Sequence, residues 1–153
     1  MQSLRHRLIN LDGLDLSSIE GGRCLAVMDG ACAVCSWGAR TLSQHDGDDC
    51  IRIATIQSPL GIALLERAGL SAEDPQTWMV LHQGHVYTHA SAMIFLGQRL
   101  AGGWAILARC AQLFPLRVLD YVYGVLARNR VRWFGRADMC ALPDARLKAR
   151  LVT

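Results

Sequence analysis

Lysine is almost missing from this chain. Of its sixteen basic residues only Lys148 is lysine, so the cationic side presents guanidinium groups, which favour bidentate pairing with carboxylates or phosphates. Long apolar runs free of charge are missing too. The most apolar region, 104–126, is broken by Arg109, Pro115, Arg117 and Asp120, which makes a poor spanning helix. The segment Met1–Leu8 is followed by Asn10, Asp12 and Asp15 and lacks the apolar centre of a signal peptide. These absences point to a cytoplasmic protein with no membrane span. There is no internal repeat and no low-complexity tract, so solenoid, fibrous and disordered classes drop out.

What is present fits one folded domain: 153 residues, 52% of them hydrophobic, are enough for a real core. The net charge of +3 hides an asymmetry. Residues 1–98 hold six Lys/Arg against ten Asp/Glu, whereas residues 99–153 hold ten against three. Six cysteines without a signal segment read as mostly reduced thiols. Cys24 and Cys110 lie in apolar surroundings and are expected in the core. Cys50 follows an acidic loop and has no evident partner in the sequence.

Residues 1–22 read as an appended arm ending at Gly21-Gly22. A buried strand is expected over 23–28 and a helix from Cys32 to about Gln44. The alternating stretch 51–56 is a second strand. Ser58-Pro59 then supplies a helix cap and a first-turn proline, and Gly69 ends that helix. Residues 77–81 and 85–88, separated by Gln83-Gly84, form a hairpin. Ser91 is expected to cap the next helix, broken at Gly102-Gly103. Two more helices, divided at Pro115, and an arginine-rich tail complete the chain. The order β-α-β-α-β-β-α is the thioredoxin-like arrangement. The fold class is therefore α/β, with a core over about 23–101 and a helical, arginine-rich extension over about 102–153.

Asp29-Gly30-Ala31-Cys32-Ala33-Val34-Cys35 falls where the first strand hands over to the first helix. Unpaired N–H groups at a helix start carry partial positive charge and favour a thiolate over a thiol there, which makes Cys32 the candidate nucleophile. Cys35, one turn on, can attack a mixed disulfide formed at Cys32. Asp29 has two readings: a cap that accepts backbone N–H bonds, or a partly buried carboxylate that shuttles the proton of Cys35. A zinc site is weighed against the dithiol. It needs four ligands, and His82 and His85, the nearest to a second pair, lie far from Cys35 in sequence and flank a hairpin turn. No metal and no bound cofactor are expected. A cis-proline facing the dithiol would suit this fold, but Pro75 matches that place only loosely and Pro59 fits a helix start. Arg128, Arg130, Arg132 and Arg136 read as a cluster that pairs with the acidic first half rather than with nucleic acid.

Asp29-x-x-Cys32-x-x-Cys35 resembles the signature of the DCC family of predicted thiol-disulfide oxidoreductases. The resemblance extends to Ile56-Gln57-Ser58-Pro59-Leu60-Gly61 and to Val86-Tyr87-Thr88. Ala127-Arg128-Asn129-Arg130, Trp133-Phe134-Gly135, and Cys140 before Leu142-Pro143 continue it, so it covers residues 23–153. The usual tyrosine before Asp-Gly is Met28 here. The resemblance implies an enzyme in which Cys32, Cys35 and Asp29 exchange a dithiol with a substrate disulfide and a reductant restores the pair. The alternative is a thioredoxin-like module that binds a partner and keeps the dithiol as a vestige or a regulator.

Overall fold

Cys24-Leu25-Ala26-Val27-Met28 is apolar at every position, the pattern of a strand covered on both faces. It forms the middle of the sheet in the computed structural model, which describes residues 3–19, 21–71, 78–139, 141 and 144–152. In chain order the elements are β1 (His6–Leu8), β2 (Cys24–Met28), α1 (Ala33–His45), β3 (Ile51–Thr55), α2 (Pro59–Arg67), β4 (Met79–His82), β5 (His85–Thr88), α3 (His89–Gly97), α4 (Gly103–Ala111), α5 (Leu116–Phe134), α6 (Ala145–Arg150) and β6 (Leu151–Val152). The sheet runs β1-β5-β4-β2-β3-β6. Strands β2 and β3 are parallel, β4 is antiparallel to β2, and β5 is antiparallel to β4. This is a thioredoxin-like α/β fold: a β2–α1–β3 crossover, a β4–β5 hairpin and a packing helix.

The period of two along β2 divides the core. Cys24, Ala26 and Met28 face one side with Ile51, Ile53 and Val80, under α1, α3 and α6. Leu25 and Val27 face the other with Ala54, Met79 and Leu81, under α2. That second face is completed by Leu11, Leu14, Leu16 and Ile19 of the amino-terminal segment. The segment read as an arm thus lies on the sheet, and its β1 pairs with β5 (His6 opposite Tyr87).

Local chemistry explains the elements that match expectation. Ser58 caps α2, its hydroxyl accepting from the Gly61 N–H at 3.1 Å, and Pro59 takes the first helical position. Gly61 has to be glycine, because a Cβ there would lie 2.1 Å from the Thr55 carbonyl oxygen. Gln83 and Gly84, at φ 48° and 78°, make the two-residue turn that matches strand twist.

Several expectations need correction. The cap position of α3 is Thr88, and Ser91 sits inside the helix, where its hydroxyl accepts from the Arg5 N–H at 3.1 Å. Helix α3 stops at Gly97, where a Cβ would meet that of Ala108 at 2.8 Å, and Gly102-Gly103 starts α4 instead. Cys110 is exposed, because α4 turns its apolar positions outward. Cys50 does have a partner: its thiol and its N–H both donate to Asp46 Oδ1, at 3.2 and 3.1 Å. The buried Asp46 carboxylate also pairs with Arg150 Nε at 3.3 Å, tying α6 to the end of α1. Neither α6 nor β6 was expected from the sequence. Pro75 and Cys140 lie outside the described residues.

Candidate functional site

The chain leaves β2 at Met28 and must turn before α1. Asp29 makes that turn, its Oδ1 accepting from the Ala31 N–H at 2.9 Å. The same oxygen accepts from Gln57 Nε2 at 2.8 Å, and Gln57 Oε1 in turn accepts from the Gly30 N–H at 3.1 Å. Oδ2 pairs with Arg130 Nη2 at 3.0 Å, both side chains being largely buried. Asp29 therefore gathers β2, the β3–α2 junction and α5 at one point. Among the described residues it makes no hydrogen bond to either thiol. Arg130 thus pairs with the acidic first half of the chain, as expected of its cluster, whereas Arg128, Arg132 and Arg136 are exposed and form no ion pair among the described residues.

Cys32 occupies the cap position of α1, with extended backbone (φ −105°, ψ 129°) and no side-chain cap bond. Its sulfur thus replaces the oxygen that normally meets the unpaired N–H groups of the first turn. Cys35 follows on the inner face, and both are free thiols. A reactive nucleophile has to be reached by its substrate, yet Cys32 and Cys35 are each 0% exposed.

The cover over Cys32 is the segment 135–139, which runs back across the loop after α5. Gly135, at φ 81°, ends α5 and turns the chain. Its carbonyl accepts from the Ala33 N–H at 3.3 Å, the Ala137 N–H donates to the Ala31 carbonyl at 3.2 Å, and the Met139 N–H donates to the Gly30 carbonyl at 2.8 Å. Arg136 stands opposite Cys32 in an antiparallel bridge, and Met139 is fully buried in the core beside α1. The dithiol loop and this strap form a short two-stranded ribbon. A concavity of about 480 Å³ beside it is lined by Gly30, Ala31, Thr55, Gln57, Arg136 and Asp138.

Cys35 is governed by a residue that the sequence did not single out. The indole Nε1–H of Trp78, just ahead of β4, donates to its sulfur at 3.1 Å, and the Trp78 N–H donates to the Tyr123 hydroxyl at 2.8 Å. The far edge of the indole reaches α1 where Gly38 leaves room: a Cβ there would fall 2.3 Å from Trp78 Cη2. Burial pushes the Cys35 thiol up to about 12; the Trp78 N–H pulls against this, and the neighbouring Cys32 adds to it. Cys35 therefore keeps its proton at neutral pH. Nothing local in the sequence marks this contact, since Gly38 and Trp78 stand 40 positions apart. A cavity of about 130 Å³ adjoins it, lined by Cys35, Trp78 and Arg130 and by Trp37, Met93 and Leu126.

His82 closes β4 at the end away from Trp78, about 13 Å along the chain from it. Burial lowers its pKa, and His85 across the turn hydrogen-bonds the Gln83 carbonyl. Among the described residues, no three His, Cys, Asp or Glu side chains converge as metal ligands.

Paired thiols at the helix that follows the central strand of a thioredoxin-like sheet define a dithiol protein of that fold. The family model for DCC1-like thiol-disulfide oxidoreductases matches residues 26–136, and the chain belongs to that family. It is 31% identical over 126 residues to YuxK, an uncharacterized protein of Bacillus subtilis, covering 82% of this chain and 91% of that one. It is also 31% identical over 146 residues to a chloroplastic DCC family protein of Arabidopsis thaliana, covering 92% of this chain and 85% of that one. No solved structure matches the chain. Membership of this family supports redox function in general terms.

Proposed function

We propose that this protein exchanges thiols for disulfides through Cys32 and Cys35. The Cys32 thiolate attacks one sulfur of a substrate disulfide, forming a mixed disulfide and releasing the other sulfur as a thiolate. Cys35 attacks the Cys32 sulfur, and its proton passes to the departing substrate sulfur. The second substrate thiol leaves, and the substrate has gained the two electrons that Cys32 and Cys35 have lost. A dithiol reductant then restores the pair. The observation that carries this reading is Cys32 at the cap of α1 with Cys35 one turn behind it, donated to by the Trp78 indole.

With Cys32 covered, attack requires the 135–139 strap to lift from the loop. The backbone groups it frees at Gly30, Ala31 and Ala33 are those to which an extended substrate segment could pair. To Asp29 we assign the work of holding the loop, since all its hydrogen bonds serve that purpose. The free cysteines among the described residues support a reducing compartment, and the cytoplasm is the location proposed.

The burial of both thiols also favours a second reading, a partner-binding module with a silent dithiol. Cys35→Ser separates the two. In an exchange enzyme it traps a covalent mixed disulfide through Cys32, because attack proceeds and resolution cannot. If no adduct forms in cell extract, and the unaltered protein reduces no small-molecule disulfide, the module reading stands.

A further inference from the structure

Helices α4 and α5 bury Ala108 and Leu116 but turn many of their apolar positions outward. On α4 the exposed positions are Ile106, Leu107 and Cys110, at intervals of one and three, and the turn beyond adds Leu113 and Phe114. On α5 they are Val118, Tyr121, Val122, Leu126 and Trp133, again a helical stripe, and Val131 and Phe134 are exposed as well. Leu113 is 83% exposed and Tyr121 71%. A stripe at this period normally faces the protein interior, and two of them joined through an apolar turn and facing solvent mark an interaction surface.

Charge decides the partner. Residues 103–134 contain five arginines and a single acid, Asp120, which is already paired with Arg5 at 3.0 Å. Arg109, Arg117, Arg128 and Arg132 are exposed and form no ion pair among the described residues. Apolar stripes bordered by unpaired guanidinium groups are the composition of a surface that settles into the headgroup layer of an anionic bilayer. A second copy fits less well, since a two-fold pairing of this face would set arginines against arginines. Single-stranded nucleic acid fits less well because most of these apolar side chains are aliphatic and offer no ring for a base to stack on. No helix among the described residues is long and apolar enough to cross the membrane, so the contact is peripheral.

We propose that the α4–α5 face binds anionic membrane surfaces, with Leu113 and Phe114 entering the headgroup layer and the arginines meeting lipid phosphates. Leu126 belongs both to the α5 stripe and to the lining of the cavity beside Cys35, so docking sets the dithiol close to the lipid surface.

The test is co-sedimentation of the reduced full-length protein with phosphatidylcholine vesicles, with and without phosphatidylserine. The protein is expected to pellet with the phosphatidylserine vesicles and remain in solution with phosphatidylcholine alone. Arg117→Gln and Arg128→Gln should each weaken binding about 5-fold. Val118→Glu with Val122→Glu should abolish it without changing the circular dichroism spectrum or the unfolding midpoint, since both positions are exposed. Three results overturn the proposal. The protein could ignore anionic vesicles. Binding could survive the paired glutamates, leaving only unspecific charge attraction. Light scattering could show a dimer that the glutamates dissolve, making a second copy the occupant.

Discussion

The indole N–H of Trp78 works against the burial that surrounds Cys35. A donor to an ionised group contributes about 1.5–3 kcal/mol, which in a rate is roughly 10–100-fold. Trp78→Phe, which keeps most of the ring and deletes the donor, should therefore slow resolution of the mixed disulfide by about that factor and leave the initial attack by Cys32 nearly unchanged. Rapid mixing that follows both steps checks this, and equal slowing of the two would refute the assignment. Asp29 calls for a different measurement. Asp29→Asn removes the carboxylate that pairs with the buried Arg130 guanidinium, a change that is strongly destabilising where a buried pair is broken. As a loop clamp it should lower the unfolding midpoint and slow both chemical steps alike at every pH. A defect confined to resolution that fades as pH rises would instead make Asp29 a proton shuttle.

At the scale of elements the strap over the dithiol is the part most open to test. Its anchor is Met139, and truncating a buried methionine costs about 2–5 kcal/mol. Met139→Ala should raise the rate at which Cys32 reacts with iodoacetamide. Leu65→Ala, an equally buried change on the far face of the sheet, should lower stability comparably with much less effect on that rate. If the two variants accelerate alkylation equally, global unfolding and not the strap governs access. The strap also shows where reading the sequence stops. Ser58-Pro59 and Gln83-Gly84 announce their elements because the groups that satisfy each other lie within a few positions. Trp78 meets Cys35 across 43 positions, and Met139 meets Gly30 across more than a hundred, with no local pattern to mark either pairing. Strand β6 is two residues long, too short for any period to register. The apolar surroundings of Cys110 are legible in the sequence, but they do not tell which way a helix face turns. Cys110 was accordingly expected inside and lies outside.

The whole molecule carries several thiols in its interior, and this sets its response to alkali. Burial, the largest cause in each case, pushes Cys24 and Cys35 up from 9.0 to about 12 and Cys50 up to about 11. A group raised in this way stabilises the fold fully below its unfolded value and loses that contribution as pH climbs towards its folded one. The reduced protein should thus hold its stability to about pH 9 and lose it progressively towards about 12, as the unfolded chain releases protons that the native one retains. Urea midpoints across the alkaline range measure the decline. Cys24→Ala should lower all of them while flattening the slope, and an unaltered slope would locate the effect elsewhere. The position of the strap in the chain has a last consequence, in time. The crossover, hairpin and α3 that build the dithiol are complete by residue 97, whereas the cover spans 135–139. At ~5–20 residues per second a ribosome takes roughly 2–8 s to make the residues between them. Over that interval the newborn Cys32 has no strap across it. The redox state that the pair takes up from its surroundings then is the one over which the strap first closes.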